Sequence, residues 1–129
     1  VVREREAISE FCAALEKRLP PDYAGADTLR AFQVAFDELL TNVVMHATGA
    51  SADPVEVLLK RDPVEIVGLL RYRAEPFDPT VRAAPDVDAP LDARPVGGLG
   101  VHLVRQLMTR FEHRYADGCN EVTLARPRH

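Results

Sequence analysis

Two stretches of the chain place apolar residues three and four positions apart, which is the spacing of a helix with one buried face. The first covers residues 3–19, and Pro20-Pro21 ends it because proline cannot continue a helix. The second begins near Asp27, which can cap a helix, and ends near Gly49. Its apolar stripe consists of Leu29, Phe32, Phe36, Leu39, Val43 and Ala47. The first part of the chain therefore predicts two amphipathic helices.

From Pro54 onward the apolar positions recur every second residue, as they do in a β-strand. Val55, Val57 and Leu59 follow this period, and the dipeptide Asp62-Pro63 then interrupts it. The next run, residues 64–71, is nearly all apolar. The two segments predict an antiparallel hairpin, and we expect the second strand in the centre of a sheet because it offers few polar positions to solvent.

Residues 76–98 show no sustained period and contain five of the ten prolines, so they predict a long loop of the kind that forms lids and binding loops. Helical spacing resumes after this loop, and Arg110 is expected near the helix end, where a cation suits the dipole. The apolar positions of this third helix are Val101, Val104, Leu107, Met108 and Phe111. Two short strands, residues 113–115 and 120–125, are predicted around the turn Asp117-Gly118.

Length and charge narrow the possible roles of the chain. Its 129 residues, 47% of them hydrophobic, fit one domain over residues 1–129 with the layered α+β architecture that this element order predicts. A net charge of −4 disfavours direct binding to nucleic acid. No apolar run approaches the roughly 18 residues that span a membrane, and the polar residues 1–6 do not predict the hydrophobic segment of a secretory signal. We therefore expect a cytoplasmic protein in which Cys12 and Cys119 are free thiols.

Glu38, Asn42 and His46 recur every fourth residue of the second predicted helix and so share one face. A carboxylate can act as a general base, and an asparagine oxygen is a hard ligand suited to Mg²⁺. This spacing fits a metal-phosphate site. On spacing alone the favoured interpretation is an ordinary polar flank with contacts within the helix, because polar pairs four residues apart are common on helices.

Two further motifs each have two interpretations. Gly97-Gly98-Leu99-Gly100 precedes the third helix, so its backbone N–H groups can bind a phosphate, or the glycines can form a hinge or a tight entry turn. Pro76-Phe77-Asp78-Pro79 follows the central strand. Phe77 is expected to pack inward and anchor the base of the loop, and the alternative is a rigid proline turn.

Four segments in this order resemble the bacterial anti-sigma factor serine kinases, a branch of the ATP-binding superfamily that includes gyrase and the histidine kinases. They are FQVAFDELLTNVVMHA, EPFDP, PVGGLGVHLVRQLMTRFEHRY and DGCNEVTLARP, and the resemblance extends from about Ala7 to Pro127. It implies a two-layer sandwich of the Bergerat type, with helices on one face of a mixed, mostly antiparallel sheet. ATP and Mg²⁺ would lie between the helices and the loop.

The resemblance also implies roles for individual residues. Glu38 would be the catalytic carboxylate, Asn42 the Mg²⁺ ligand, and Thr123 a residue that helps to hold the adenine. Gly98 and Gly100 would contact the phosphates. The remaining residues implied to lie at the nucleotide are His46, Tyr72, Ala74, Phe77, Gly97 and Leu99.

One segment departs from the family pattern. The family usually has Asp-x-Gly ahead of the PFDP motif, with an aspartate that accepts a hydrogen bond from the adenine and a glycine that leaves room for the base. Tyr72 and Ala74 stand at these positions. Loss of such a buried polar contact costs roughly 1–3 kcal/mol. Tyr72 could fill the adenine space, stack on a base or donate its hydroxyl. The chain also begins almost at the first helix, where the family often has an edge strand.

Three functions follow as expectations from the resemblance. The first is an ATP-dependent serine kinase that phosphorylates a STAS-type antagonist and sequesters a sigma factor, usually as a homodimer. The second is a binding module of the same fold that acts without nucleotide, as Tyr72 and Ala74 suggest. The third, an ATPase fragment of a sensor histidine kinase, is disfavoured because the glycine segment has the anti-sigma form.

Overall fold

The computed structural model describes residues 1, 3–46, 53–81 and 98–129. Three α-helices, one 3₁₀ helix and four strands form in these ranges. In chain order they are α1 (Arg5–Arg18), α2 (Ala26–His46), β1 (Glu56–Arg61), β2 (Glu65–Arg73), the 3₁₀ helix (Pro79–Val81), α3 (Gly98–Leu107), β3 (Arg110–Ala116) and β4 (Cys119–Pro127). The predicted order of helices and strands is thereby confirmed.

The strands form one sheet in the order β1-β2-β4-β3, and each of its three pairings is antiparallel. The predicted α+β fold is confirmed, and β2 lies inside the sheet as its apolar run indicated. The two hairpins, β1 with β2 and β3 with β4, are joined by the pairing of β2 with β4.

The core lies between α2 and one face of the sheet, which we call the inner face. The aromatic residues Phe32 and Phe36 of α2 are fully buried, and Ile66 and Leu70 of β2 are buried with them. Gly68 lies between these two strand residues, and a Cβ at this position would be 2.7 Å from the Phe36 ring. The absence of a side chain at Gly68 therefore allows α2 to pack close to the sheet.

The opposite, outer face of the sheet carries a row of charged residues in register across all four strands. Arg71 contacts Glu56 at 3.7 Å and Glu121 at 3.5 Å, and Arg114 contacts Glu121 at 3.3 Å. Acidic and basic residues thus alternate across the strands, which is the arrangement that stabilises neighbouring side chains on a sheet.

Several boundaries differ from the sequence-based expectation. The third helix ends at Leu107, so Arg110 and Phe111 belong to β3 and not to the helix. The reason is that the backbone N–H of Thr109 donates to Ala125 O of β4 at 2.8 Å, which replaces helical pairing by sheet pairing. Asp27 lies in the first turn of α2 and is not its cap, because the helix begins at Ala26.

The remaining expectations concern the chain start, the loop and membrane spans. Val1 and Val55 exchange two backbone hydrogen bonds, at 2.5 and 2.7 Å, so the first residue pairs beside the sheet edge, on the side where the family often has an edge strand. Of the predicted lid, residues 76–98, the part from 82 to 97 lies outside the described residues. Within the described part, no helix is long and apolar enough to cross a membrane. Cys12 and Cys119 are free, as predicted.

Candidate functional site

A small cavity lies between α2 and the inner face of the sheet. It is lined by Leu39, Asn42, Leu70, Tyr72, Phe77, Pro79 and Val122. Its volume is about 20 Å³, which is enough for about one water molecule. The structure thus brings together three of the predicted nucleotide-site residues, Asn42, Tyr72 and Phe77, around a cavity that is smaller than a purine ring.

Tyr72 accounts for much of this closure. Its position on β2 directs the side chain to the inner face, where only 6% of it is exposed. Burial raises the pKa of the Tyr72 hydroxyl, and the guanidinium of Arg3, 6.0 Å from the ring centre, partly opposes this shift. The hydroxyl is therefore protonated at neutral pH. Ala74, the second departure from the family motif, is also buried, with 5% exposed.

Glu38 lies on α2 one turn before Asn42, and its side chain extends toward the start of α3. A Cβ built at Gly100 would overlap the Glu38 carboxyl group and lie 3.1 Å from Glu38 Cγ. Only glycine therefore lets this carboxylate lie so close to α3. Burial, and secondarily the neighbouring charge of Asp37, raise the pKa of Glu38. The structure brings Glu38 and Gly100 together, as the resemblance implied.

Thr123 does not line the cavity. In the sheet it pairs with Leu69 of β2 and Glu112 of β3 on the outer face, and its neighbours Val122 and Leu124 are the buried residues. Successive side chains of a strand point to opposite faces, so Val122 occupies the inward position and lines the cavity. The expectation that Thr123 holds an adenine inside this cleft does not agree with this placement.

Other predicted site residues cannot be placed fully. Gly97 and the side chain of His46 lie outside the described residues. Gly98 and Leu99 form the first positions of α3. Among the described residues, no group of three or more His, Cys, Asp or Glu side chains could hold a metal ion, so Mg²⁺ binding at Asn42 remains a prediction.

Sequence reasoning missed Asn120 of β4, which is fully buried. Its Oδ1 accepts a hydrogen bond from the Phe77 N–H at 2.9 Å, and its Nδ2 donates to the Glu75 carbonyl at 2.9 Å. Asn120 thereby holds the backbone that carries Phe77 to the cavity. Asn120 has the same inward parity as Val122 and Leu124, which becomes clear from the register of β4, and a buried amide needs hydrogen-bond partners.

Comparison with known proteins agrees with the fold. The family model of the histidine kinase-like ATPase domain matches residues 2–126. The serine/threonine-protein kinase BtrW of Bordetella bronchiseptica is 30% identical over 89 residues, which cover 68% of this chain and 63% of that protein. The matched region is thus less than two thirds of that relative.

A solved structure supports the fold. The histidine kinase domain of the blue-light activated histidine kinase EL346 from Erythrobacter litoralis superposes with a TM-score of 0.55 at 14% identity, over 99% of this chain and 62% of that one. At this identity the likeness concerns the fold alone. Together with a family model that covers nearly the whole sequence, it leads to one conclusion: the chain belongs to the histidine kinase-like ATPase domain family.

Proposed function

We propose that this domain is a cytoplasmic anti-sigma regulatory module that binds a STAS-type antagonist and a sigma factor as a homodimer, and that it does so without nucleotide. The single observation that carries this proposal is the buried ring of Tyr72 in a cavity of about 20 Å³. The proposed partners come from the sequence resemblance, and the independence from nucleotide comes from the geometry of the cleft.

At the end of the cleft where the adenine base would lie, which we call the base end, the residues present do not fit ATP. A bound purine needs the space that Tyr72 and Phe77 now occupy. Movement of the Phe77 backbone would break the hydrogen bond between its N–H and Asn120. Removing a partner from a buried polar group such as Asn120 costs about 1–3 kcal/mol. Tyr72 also lacks the carboxylate with which the family aspartate accepts a hydrogen bond from adenine.

At the phosphate end, the Glu38 carboxyl group lies over Gly100 of α3. A phosphate at this helix start would meet a carboxylate, with Asp37 adjacent in sequence, and like charges repel. The base end of the cleft therefore favours a role that does not use ATP, whereas at the phosphate end Glu38 lies beside α3 as the resemblance implies for the family's catalytic carboxylate.

The second candidate is the ATP-dependent serine kinase. One observation favours it: Glu38 and Asn42, the residues that the family would use as catalytic carboxylate and Mg²⁺ ligand, are retained one helical turn apart on α2. BtrW, a relative of this chain, is named a serine/threonine kinase. A kinase requires that Tyr72 leave the cavity when nucleotide binds, because its ring lies in the space that the base would take between β2 and α2.

Calorimetric titration with Mg-ATP and Mg-ADP distinguishes the two candidates. We expect no binding heat at millimolar nucleotide, and we expect the complexes with a STAS protein and with a sigma factor to form equally with and without Mg-ATP. Saturable binding of Mg-ATP together with phosphate transfer to the STAS protein would establish the kinase instead. Neither partner binding, in the presence or the absence of nucleotide, would contradict the regulatory role.

A further inference from the structure

Residues 75–80 form one wall of the cavity through Phe77 and Pro79, and we call them the wall segment. Side chains from the inner face of β3 and β4 hold this segment. The Tyr115 hydroxyl donates to the carbonyl of Ala74, just before the segment, at 3.1 Å. Asn120 binds the backbone of both Glu75 and Phe77. The position of the cavity wall is thus set by the second hairpin.

The two backbone contacts of Asn120 fix the orientation of its amide. In the reversed orientation the amide oxygen would face the Glu75 carbonyl, and the NH₂ group would face the Phe77 N–H. Two unfavourable contacts would replace two hydrogen bonds. The amide oxygen of Asn120 therefore lies toward the Phe77 N–H, and it is this same oxygen that lies 2.8 Å from Nε2 of His113.

This orientation determines the tautomer of His113. An amide oxygen accepts hydrogen bonds and has no proton to donate, so His113 Nε2 must carry the hydrogen. In the neutral imidazole the other nitrogen, Nδ1, then has a lone pair and no proton. Which nitrogen of His113 is protonated thus follows from two backbone groups of the wall segment.

The unprotonated nitrogen faces a carboxylate of the wall segment. His113 Nδ1 lies 3.7 Å from Oδ2 of Asp78. The other oxygen, Oδ1, accepts hydrogen bonds from the N–H and the hydroxyl of Thr80, at 2.8 and 2.6 Å, and these hold the carboxylate in place. The His113 side chain is only 8% exposed, so water screens the contact weakly.

We propose that Asp78, His113 and Asn120 form a proton-operated latch for the wall segment. Neutral His113 is bound to Asn120 alone, and its Nδ1 lone pair faces the carboxylate without a proton between them. Protonated His113 carries a hydrogen on Nδ1, so the 3.7 Å contact with Asp78 can shorten into a charge-assisted hydrogen bond while the bond to Asn120 is kept. Protonation of His113 then fixes the wall segment more firmly.

The surroundings of His113 leave Asp78 as its charged partner within the described residues. On β3, Glu112 and Arg114 point to the outer face, and Tyr115 points inward with its hydroxyl on Ala74. On β4, Asn120 is neutral, and Glu121 pairs with arginines on the outer face. Glu75 of the wall segment presents its backbone carbonyl to Asn120. The latch does not depend on the proposed function, since it concerns the wall and not what binds there.

Hydrogen exchange of the Phe77 amide tests the latch. After correction for the intrinsic pH dependence of exchange, we expect protection to rise about threefold to tenfold between about pH 8 and about pH 6. His113→Gln keeps a donor for Asn120 but cannot gain a charge, and Asp78→Asn keeps an acceptor for Thr80 but removes the carboxylate. We expect the rise in Phe77 protection to be absent in each of these two variants. The variant His102→Gln on α3 should retain it.

NMR of the histidine ring nitrogens supplies a second readout. At about pH 8 we expect His113 to show the tautomer with hydrogen on Nε2. Equal protection of Phe77 at both pH values in the native chain would overturn the latch. An unchanged rise in Phe77 protection in the Asp78→Asn variant would also overturn the latch. A neutral His113 with its hydrogen on Nδ1 would overturn it as well. If His113→Gln fails to fold, the Asp78→Asn variant and the tautomer decide the question.

Discussion

Gly68 and Gly100 both lie where a methyl group would overlap a neighbouring side chain, but the two neighbours differ in their freedom to move. At Gly68 the neighbour is the fully buried ring of Phe36. We expect Gly68→Ala to lower the free energy of unfolding by about 1–3 kcal/mol, because the packed core cannot accept the added carbon. Urea unfolding measures this change.

Gly100→Ala is the matched control, since the added methyl group meets the end of the flexible Glu38 side chain. Glu38 can turn toward solvent, and alanine favours a helix over glycine by about 1 kcal/mol. We expect the stability to change by no more than about 1 kcal/mol in either direction. A loss as large as that of Gly68→Ala would show that Glu38 is held rigidly against α3.

The raised pKa of Glu38 predicts a pH-dependent effect of Glu38→Gln. Because burial raises its pKa in the folded state, the folded chain binds this proton more tightly than the unfolded chain does. The free energy of unfolding of the native chain therefore falls as pH rises from the ordinary carboxyl value, about 4.3, through the raised value. The Glu38→Gln variant does not undergo this fall in the free energy of unfolding. We therefore expect it to be more stable than the native chain at neutral pH.

The gain from Glu38→Gln should be less than about 1 kcal/mol, because the side chain is partly exposed and water screens its charge. The gain should vanish in acid, where Glu38 is protonated in both states. Urea unfolding over a series of pH values measures this difference. Asp37→Asn is the comparison, since it removes the charge that raises the Glu38 pKa and leaves the Glu38 carboxylate in place. A native chain more stable than Glu38→Gln at neutral pH would refute the argument.

Individual residues also show what the sequence could and could not predict about the site. The four-residue spacing of Glu38 and Asn42 was sufficient to place both on one side of α2. The inward position of Val122, and with it the outward position of Thr123, depends on the register with β2 and β3. A strand with polar and apolar residues at both parities does not specify that register by itself.

At the level of elements, the end of β4 is tied to the beginning of α2. Thr28, a buried polar residue in α2, donates its hydroxyl to the carbonyl of Pro127 at 2.9 Å. We expect Thr28→Val, which keeps the shape but not the donor, to cost about 1–3 kcal/mol because the Pro127 carbonyl loses its partner. Thr28→Ser retains the hydroxyl and should lose less. Thermal unfolding of both variants measures the difference, and equal losses would assign the effect to packing.

The boundary between α3 and β3 shows why element ends were harder to predict than element types. Leu107, Met108 and Phe111 continue the helical spacing of the preceding residues, so the local pattern extends the helix. In the folded chain both the N–H and the hydroxyl of Thr109 donate to Ala125, each at 2.8 Å. A contact with β4 therefore ends the helical segment, and no local pattern encodes that contact.

For the molecule as a whole, the hairpins were local predictions, whereas the way they join was not. The β1–β2 and β3–β4 hairpins each follow from a turn signal between two strands. The pairing of β2 with β4 connects them into one sheet, and it sets Tyr72 of β2 beside Asn120 of β4. The sequence resemblance predicted the architecture. It did not predict that Tyr72 closes the cleft, because this depends on how the assembled sheet positions Tyr72.

This closure predicts how the stability of the whole domain responds to nucleotide. A ligand that binds only the folded state at a hundred times its Kd raises the free energy of unfolding by about 2.7 kcal/mol. We expect no such rise with Mg-ATP for the native chain. The double variant Tyr72→Asp with Ala74→Gly removes the ring and restores Asp-x-Gly, so it should gain stabilisation by Mg-ATP.

The double variant should be less stable without ligand, by about 3–5 kcal/mol, because it loses a large buried side chain. Its response to Mg-ATP is therefore measured against its own unfolding curve in urea, at a temperature where it remains folded. Tyr72→Phe is the control, since it keeps the ring in the cavity and should stay unresponsive. If Mg-ATP stabilises the native chain as strongly as the double variant, the Tyr72 ring must move aside when nucleotide binds. The ATP-dependent serine kinase would then be the favoured function.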